Sequence, residues 1–158
     1  MAGKTRIIDP TRRTVLKAAC VSTIGFATTT LSSLAIAVAA DEEMELVRRL
    51  TGKTPTESDR VRLEMPPIFA NGYTVPLALE VDSPMTEADH VRLVRVFAPR
   101  NPLVEVAGFH FTPRSGRARI STRIRLAQPQ DVVAVAEMSD GTFLMTTKWV
   151  EVATNGCA

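Results

Sequence analysis

The sequence is poor in the residues that build catalytic and metal sites. Its 158 residues include two histidines, His90 and His110, and two cysteines, Cys20 and Cys157. There is no Cys-x-x-Cys pair and no pair of histidines at ligand spacing, which excludes the usual zinc centres. A blue-copper site needs two histidines, a cysteine and usually a methionine, and here only Ala158 follows Cys157. No glycine-rich phosphate loop occurs, which excludes the common nucleotide folds. No cofactor is therefore expected. An excess of one charge is missing too. The formal net charge of +2 comes from residues 1–39, where Lys4, Arg6, Arg12, Arg13 and Lys17 face only Asp9. The rest holds 14 basic and 16 acidic residues, a net of −2. That balance argues against a general nucleic-acid binder.

What is present begins with an address. Thr11-Arg12-Arg13-Thr14-Val15-Leu16-Lys17 resembles a twin-arginine export motif, with Arg12 and Arg13 as the arginine pair. Residues 18–40 carry no charge, and Ala37-Val38-Ala39 offers the small-x-small pattern of a signal-peptidase site. The expected cut follows Ala39, with Ala37 as second choice, and the expected location is the periplasm. A retained membrane anchor is the alternative. Seven Ser/Thr between Ser22 and Ser33 speak against it, because they lower the hydrophobicity a stable span requires.

Removal of residues 1–39 takes Cys20 away and leaves Cys157 alone. A single cysteine in an oxidising compartment cannot close an internal disulfide, so it is an intermolecular partner or a reactive thiol. The last apolar strand pattern ends near Val152, and five residues then lead to Cys157. Fully extended, they span roughly 16–18 Å. A thiol on such a tail is exposed, and exposed thiols react where buried ones are inert. Both histidines fall in predicted strands, away from the tail, so no base is held beside the thiol. The terminal carboxylate of Ala158 disfavours its ionisation further. A tethered thiol without base, cofactor or pocket suits a carrier that is activated in a partner's active site. A cysteine of no importance on a frayed tail is the alternative.

The body of the chain reads as strands. A short helix is expected over residues 41–50, with Met44, Val47 and Leu50 on one face and Gly52 and Pro55 ending it. Alternating segments follow at 61–65, 74–82, 90–98, 104–112, 117–126, 131–138 and 143–152. Asn71-Gly72 and Asp140-Gly141 read as tight turns. Seven short strands at this spacing predict an all-β, immunoglobulin-like antiparallel sandwich, here with an N-terminal helix and a flexible C-terminal tail. Three parts result: a cleaved signal at 1–39, a domain at 40–152 and a tail at 153–158. Along 117–126, Ala118, Ile120, Thr122, Ile124 and Leu126 face one way, and Arg117, Arg119, Ser121, Arg123 and Arg125 the other. Those four arginines form a candidate docking surface for an acidic partner, or steer anions toward the tail. A solvated face that discourages edge pairing would look the same.

Four segments together carry a family resemblance: Val81-Asp82-Ser83-Pro84-Met85-Thr86, Gly108-Phe109-His110-Phe111-Thr112-Pro113, Ser121-Thr122-Arg123-Ile124-Arg125-Leu126-Ala127 and Val135-Ala136-Glu137-Met138-Ser139-Asp140-Gly141. With the export motif and the near-terminal cysteine, the chain resembles the SoxY carriers of bacterial thiosulfate oxidation. The resemblance implies an immunoglobulin-like sandwich paired with a second sandwich subunit, SoxZ, and no catalysis of its own. It implies sulfur intermediates held covalently on Cys157 while a haem protein, a hydrolase and a molybdenum–haem dehydrogenase act in turn. It implies no nucleic acid and no stable membrane anchor. The family tail is Gly-Gly-Cys-Gly-Gly. Here Asn155 replaces the first glycine, Gly156 keeps the second, Ala158 replaces the third and the fourth is missing. A carrier whose enzyme partners differ is the reading that follows, with a non-loading scaffold as the alternative.

Overall fold

The computed structural model describes residues 41–153. The signal with Arg12 and Arg13, and the tail residues Asn155, Gly156, Cys157 and Ala158, lie outside the described residues.

Alternation of apolar and polar side chains makes most of this chain β-structure. Helix α1 covers residues 41–51. Nine strands follow: β1 Thr56–Glu57, β2 Val61–Glu64, β3 Ile68–Phe69, β4 Val75–Val81, β5 Val91–Phe97, β6 Glu105–His110, β7 Ala118–Ile124, β8 Gln130–Met138 and β9 Phe143–Val152. A 3₁₀ turn at Pro113–Ser115 separates β6 from β7. The larger sheet runs β1-β9-β8-β5-β6, and the smaller runs β2-β4-β7. Val61, Leu63, Val75, Leu77, Leu79, Ala118 and Ile124 from the small sheet meet Val94, Val96, Val132, Ala134, Ala136 and Val150 from the large one. The all-β sandwich read from the sequence is the observed architecture, and all seven predicted strands are present.

Three features differ from the sequence reading. First, the helix is a third layer. Val47 is fully buried against Phe97, Val133, Val135 and Met145 on the outer face of the large sheet, with Met44 packed beside them. Leu50, expected on the same face, is 42% exposed, and Thr51 is buried in its place. At 3.6 residues per turn, residues 44, 47 and 51 cluster within about 60° of the helix circumference, whereas residue 50 points about 60° to the other side of 47. Thr51 satisfies its hydroxyl by donating to the Val47 carbonyl at 2.9 Å. Gly52, at φ 74°, ends the helix as expected, its N–H donating to the Arg48 carbonyl at 2.9 Å. Second, β1 and β3 were not predicted. Each is two residues long and pairs in parallel with an end of β9, too short to show alternation. Third, Asn71-Gly72 does turn the chain tightly, as read, but the strands on either side of it do not pair with each other. Asn71 Oδ1 accepts from the Tyr73 N–H at 2.7 Å, an Asx turn in the connection from β3 to β4. Asp140-Gly141 does form the β8–β9 turn, with Gly141 at φ 82° and Asp140 Oδ1 accepting from the Thr142 N–H and hydroxyl.

The helix is clamped at both ends. Arg100 Nε donates to Glu43 Oε1 at 2.7 Å near its start, and Arg95 Nη1 donates to the Leu50 carbonyl at 2.8 Å near its end. Asp131 sits under the first clamp, partly buried. Burial raises its pKa above the ordinary 3.8, nearby Glu43 raises it further, and Arg100 opposes both.

Two outcomes follow. Val47→Ala removes the centre of the outer-face cluster and should cost about 2 kcal/mol in a denaturant melt. Asp131 binds its proton more tightly in the folded state than in the unfolded one. Its contribution is therefore complete below 3.8 and is lost as pH rises from there through the raised folded value. Asp131→Asn should abolish that loss and raise the melting temperature at neutral pH while leaving it nearly unchanged in acid.

Candidate functional site

The tail that carries Cys157 is rooted on β9. This strand pairs with β8 over eight residues, from Gln130↔Val150 to Glu137↔Phe143. Its last residue, Val152, is buried. On the opposite edge β3 grips the same end, with Ile68 opposite Glu151 and Phe69 opposite Val152. The Glu151 N–H donates to the Pro67 carbonyl at 2.8 Å, and the Ala153 N–H to the Phe69 carbonyl at 3.1 Å. The role of β3, invisible in the sequence, is thus to hold the chain up to Ala153.

Neither histidine lies near this root. His110 closes β6 and is exposed; through Leu93 and Glu137 it stands level with Phe143, the first residue of β9. From there to Val152 is nine residues, about 30 Å at ~3.3 Å each. His90 precedes β5 at that same far end, its Nδ1 3.0 Å from the Thr86 carbonyl oxygen. Five residues spanning at most roughly 16–18 Å separate Val152 from Cys157 in the sequence, less than that path along the sheet. Among the described residues, no three of His, Cys, Asp and Glu cluster as a metal site. No helix there is long and apolar enough to cross a membrane.

The arginine row lies where alternation put it, on the outer face of β7, the edge strand of the small sheet. Ala118 and Ile124 are buried, and Arg119, Ser121 and Arg123 are exposed. The strand is shorter than expected, so Arg117 and Arg125 flank it. Among the described residues, Arg117, Arg119, Arg123 and Arg125 form no ion pair. Six arginines elsewhere, Arg48, Arg49, Arg60, Arg92, Arg95 and Arg100, each reach a carboxylate.

Beside Arg123 and Arg125 is a hollow of about 370 Å³, further lined by Asn101, Pro102, Leu103, Val106 and Ile124. Sequence reasoning missed it. The signal available was Leu103, an apolar residue just after Pro102 and outside any predicted strand. Asn101 turns most of its amide into the fold, leaving one Nδ2 hydrogen uncommitted. Its Nδ2 donates to the Arg125 carbonyl at 2.8 Å, and its Oδ1 accepts from the Ala127 N–H at 2.8 Å and from Gln130 Nε2 at 2.9 Å.

Comparison with known proteins now bears on this geometry. A solved structure of the sulfur carrier protein SoxY from Chlorobium limicola f. thiosulfatophilum superposes with a TM-score of 0.58 at 25% identity. The alignment covers 72% of this chain and 97% of that one. Superoxide reductase (neelaredoxin) from Ignicoccus hospitalis superposes with a TM-score of 0.54 at 14% identity, covering 62% of this chain and 94% of that one. The superoxide reductase of Nanoarchaeum equitans gives 0.51 at 14%, with 61% and 98% covered. Both reductases share the fold alone. No curated protein sequence matches. The sequence matches the family described as sulfur oxidation protein SoxY over residues 47–157, a span that includes Cys157. The chain belongs to the SoxY family of sulfur oxidation proteins.

Proposed function

We propose that this chain is exported to the periplasm by the twin-arginine route and there carries thiosulfate-derived sulfur covalently on Cys157. The observation that supports this most is the rooted tail. A lone cysteine follows a strand end held on both edges, about 30 Å along the sheet from either histidine. Such a thiol has no base of its own and finds activation in a partner's cleft.

The chemistry is a sequence of transfers on one sulfur. Loading joins Cys157 Sγ to the sulfane sulfur of thiosulfate, releasing one proton and two electrons, which a haem enzyme accepts. The product is the thiosulfonate Sγ–S–SO₃⁻. Water then cleaves the S–SO₃ bond in a hydrolase, releasing sulfate and a proton and leaving the persulfide Sγ–SH. A molybdenum–haem dehydrogenase oxidises that remaining sulfur. The carrier itself supplies the thiol and its delivery, with a SoxZ-like sandwich subunit as its companion.

Intact mass of the mature protein, purified without reductant from its host grown on thiosulfate, tests the reading. The expected result is a ladder of sulfur and thiosulfonate additions confined to the Cys157 peptide and lost on reduction. Cys157→Ser should abolish thiosulfate oxidation in the host. Retained activity in that variant, or a bare thiol while the Sox enzymes are active, would establish a scaffold instead. A second variant examines the unusual tail. Replacing Ala158 by Gly-Gly should leave loading by the chain's own partners no faster, because those partners accept Asn155-Gly156-Cys157-Ala158 as it stands. A large gain would show that the tail has lost function.

A further inference from the structure

The end of the sandwich from which the tail leaves also holds half of the arginine row. Arg125 follows β7, and its carbonyl accepts from Asn101 Nδ2. Asn101 Oδ1 accepts from Gln130 Nε2, and Gln130 stands opposite Val150 on β9, two residues before the strand ends. The Leu126 N–H donates to the Gly72 carbonyl at 2.8 Å, in the connection that follows β3. Arg123 and Arg125 therefore belong to the same end as the tail root. Arg117 belongs to the other end, beside Ala118, which pairs with Val81.

Two independent features meet at Arg123 and Arg125. Among the described residues neither has a carboxylate within 4.0 Å, and none lines the hollow beside them. The other walls of that hollow are largely apolar, and Leu103 at its lip is 73% exposed. With the Asn101 oxygen and one of its two amide hydrogens engaged inside the fold, the charged groups of the hollow are the two guanidinium groups. Arginine forks beside an apolar hollow are the composition of a protein-contact hot spot, and a planar guanidinium matches a carboxylate with two hydrogen bonds. A free inorganic anion would use the charges and leave Leu103 and Val106 idle.

We propose that Arg123, Arg125 and the hollow of Pro102, Leu103, Val106 and Ile124 form the docking patch for the enzymes that take Cys157, and that these enzymes carry carboxylates and an apolar side chain on the rim of their thiol-accepting cleft. The proposal rests on the carrier reading. An enzyme that receives the tail has to approach the end of the sandwich where the tail begins, and this patch is an unpaired basic surface at that end. Charge placed so acts mainly on the association rate and is weakened by salt.

The experiment uses the mature carrier with its companion subunit and the thiosulfate-conjugating haem enzyme purified from the same host. Second-order loading rates are measured by intact mass across a salt series. Arg123→Glu/Arg125→Glu should load about 10–100-fold more slowly at low salt and lose most of its salt dependence. Leu103→Asp alone should also slow loading. Arg62→Glu/Arg114→Glu makes the same change in net charge away from the patch and should stay within about twofold. All variants should react at equal rates with a small disulfide reagent, showing the thiol intact. Equal slowing by both double variants would replace the patch with diffuse attraction and overturn the proposal. So would slowing by Arg123→Glu/Arg125→Glu that millimolar sulfate reproduces in the wild type while Leu103→Asp has no effect, since that marks a small-anion site. A wild type that loads no faster than Arg123→Glu/Arg125→Glu overturns the patch alone. A wild type that takes up no sulfur overturns the carrier reading and the patch with it.

Discussion

The ladder between β8 and β9 carries the rest of the molecule. Its eight residue pairs join a strand buried on both faces to the strand that ends in the tail. On one side of β8, Val132, Ala134, Ala136 and Met138 face the small sheet; on the other, Val133 and Val135 face the helix. Slipping this register by one residue would exchange the two sets and expose Glu137 to the core. It would also unseat Val150 from Gln130 and so break the buried amide pair with Asn101. The position of the tail root, the shape of the arginine end and the seat of the helix are consequences of one alignment.

Half-buried strands were the readable part of the sequence. In β4 the burial pattern alternates along its whole length, and in β7 nearly so, because one face meets the core and the other meets water. β8 is different. Residues 132–136 are all buried, so the helix layer above them leaves no polar face to read. The helix misled for a related reason. Leu50 is apolar and exposed, Thr51 is polar and buried, and only the turn of the helix about Val47 decides between them. β1 and β3 exist because β9 has an edge to pair with. Two residues of local sequence cannot announce a partner more than eighty positions away.

The site divides in the same way. Cys157 stands out in the sequence by counting alone, and the family match over residues 47–157 includes it. The arginines were legible by alternation, but their division was not. Sequence spacing treats Arg117, Arg119, Arg123 and Arg125 as one row, whereas contacts made by Asn101 and Gln130 assign the last two to the end where the tail begins. The hollow beside them depends on a loop, a bulged strand and an edge strand meeting in space.

On the proposed carrier reading, the bond from the Ala153 N–H to the Phe69 carbonyl sets where the tether of the Cys157 thiol begins. Once an enzyme sits on this end of the sandwich, encounter of the thiol with the cleft becomes intramolecular. Linking two groups through a few residues gives a local concentration at about the millimolar level, whatever the concentration of protein outside. Under that condition tight docking brings nothing and delays departure. A carrier that must visit several enzymes in order is better served by brief contacts, and a rigidly held root is what lets brief contacts suffice.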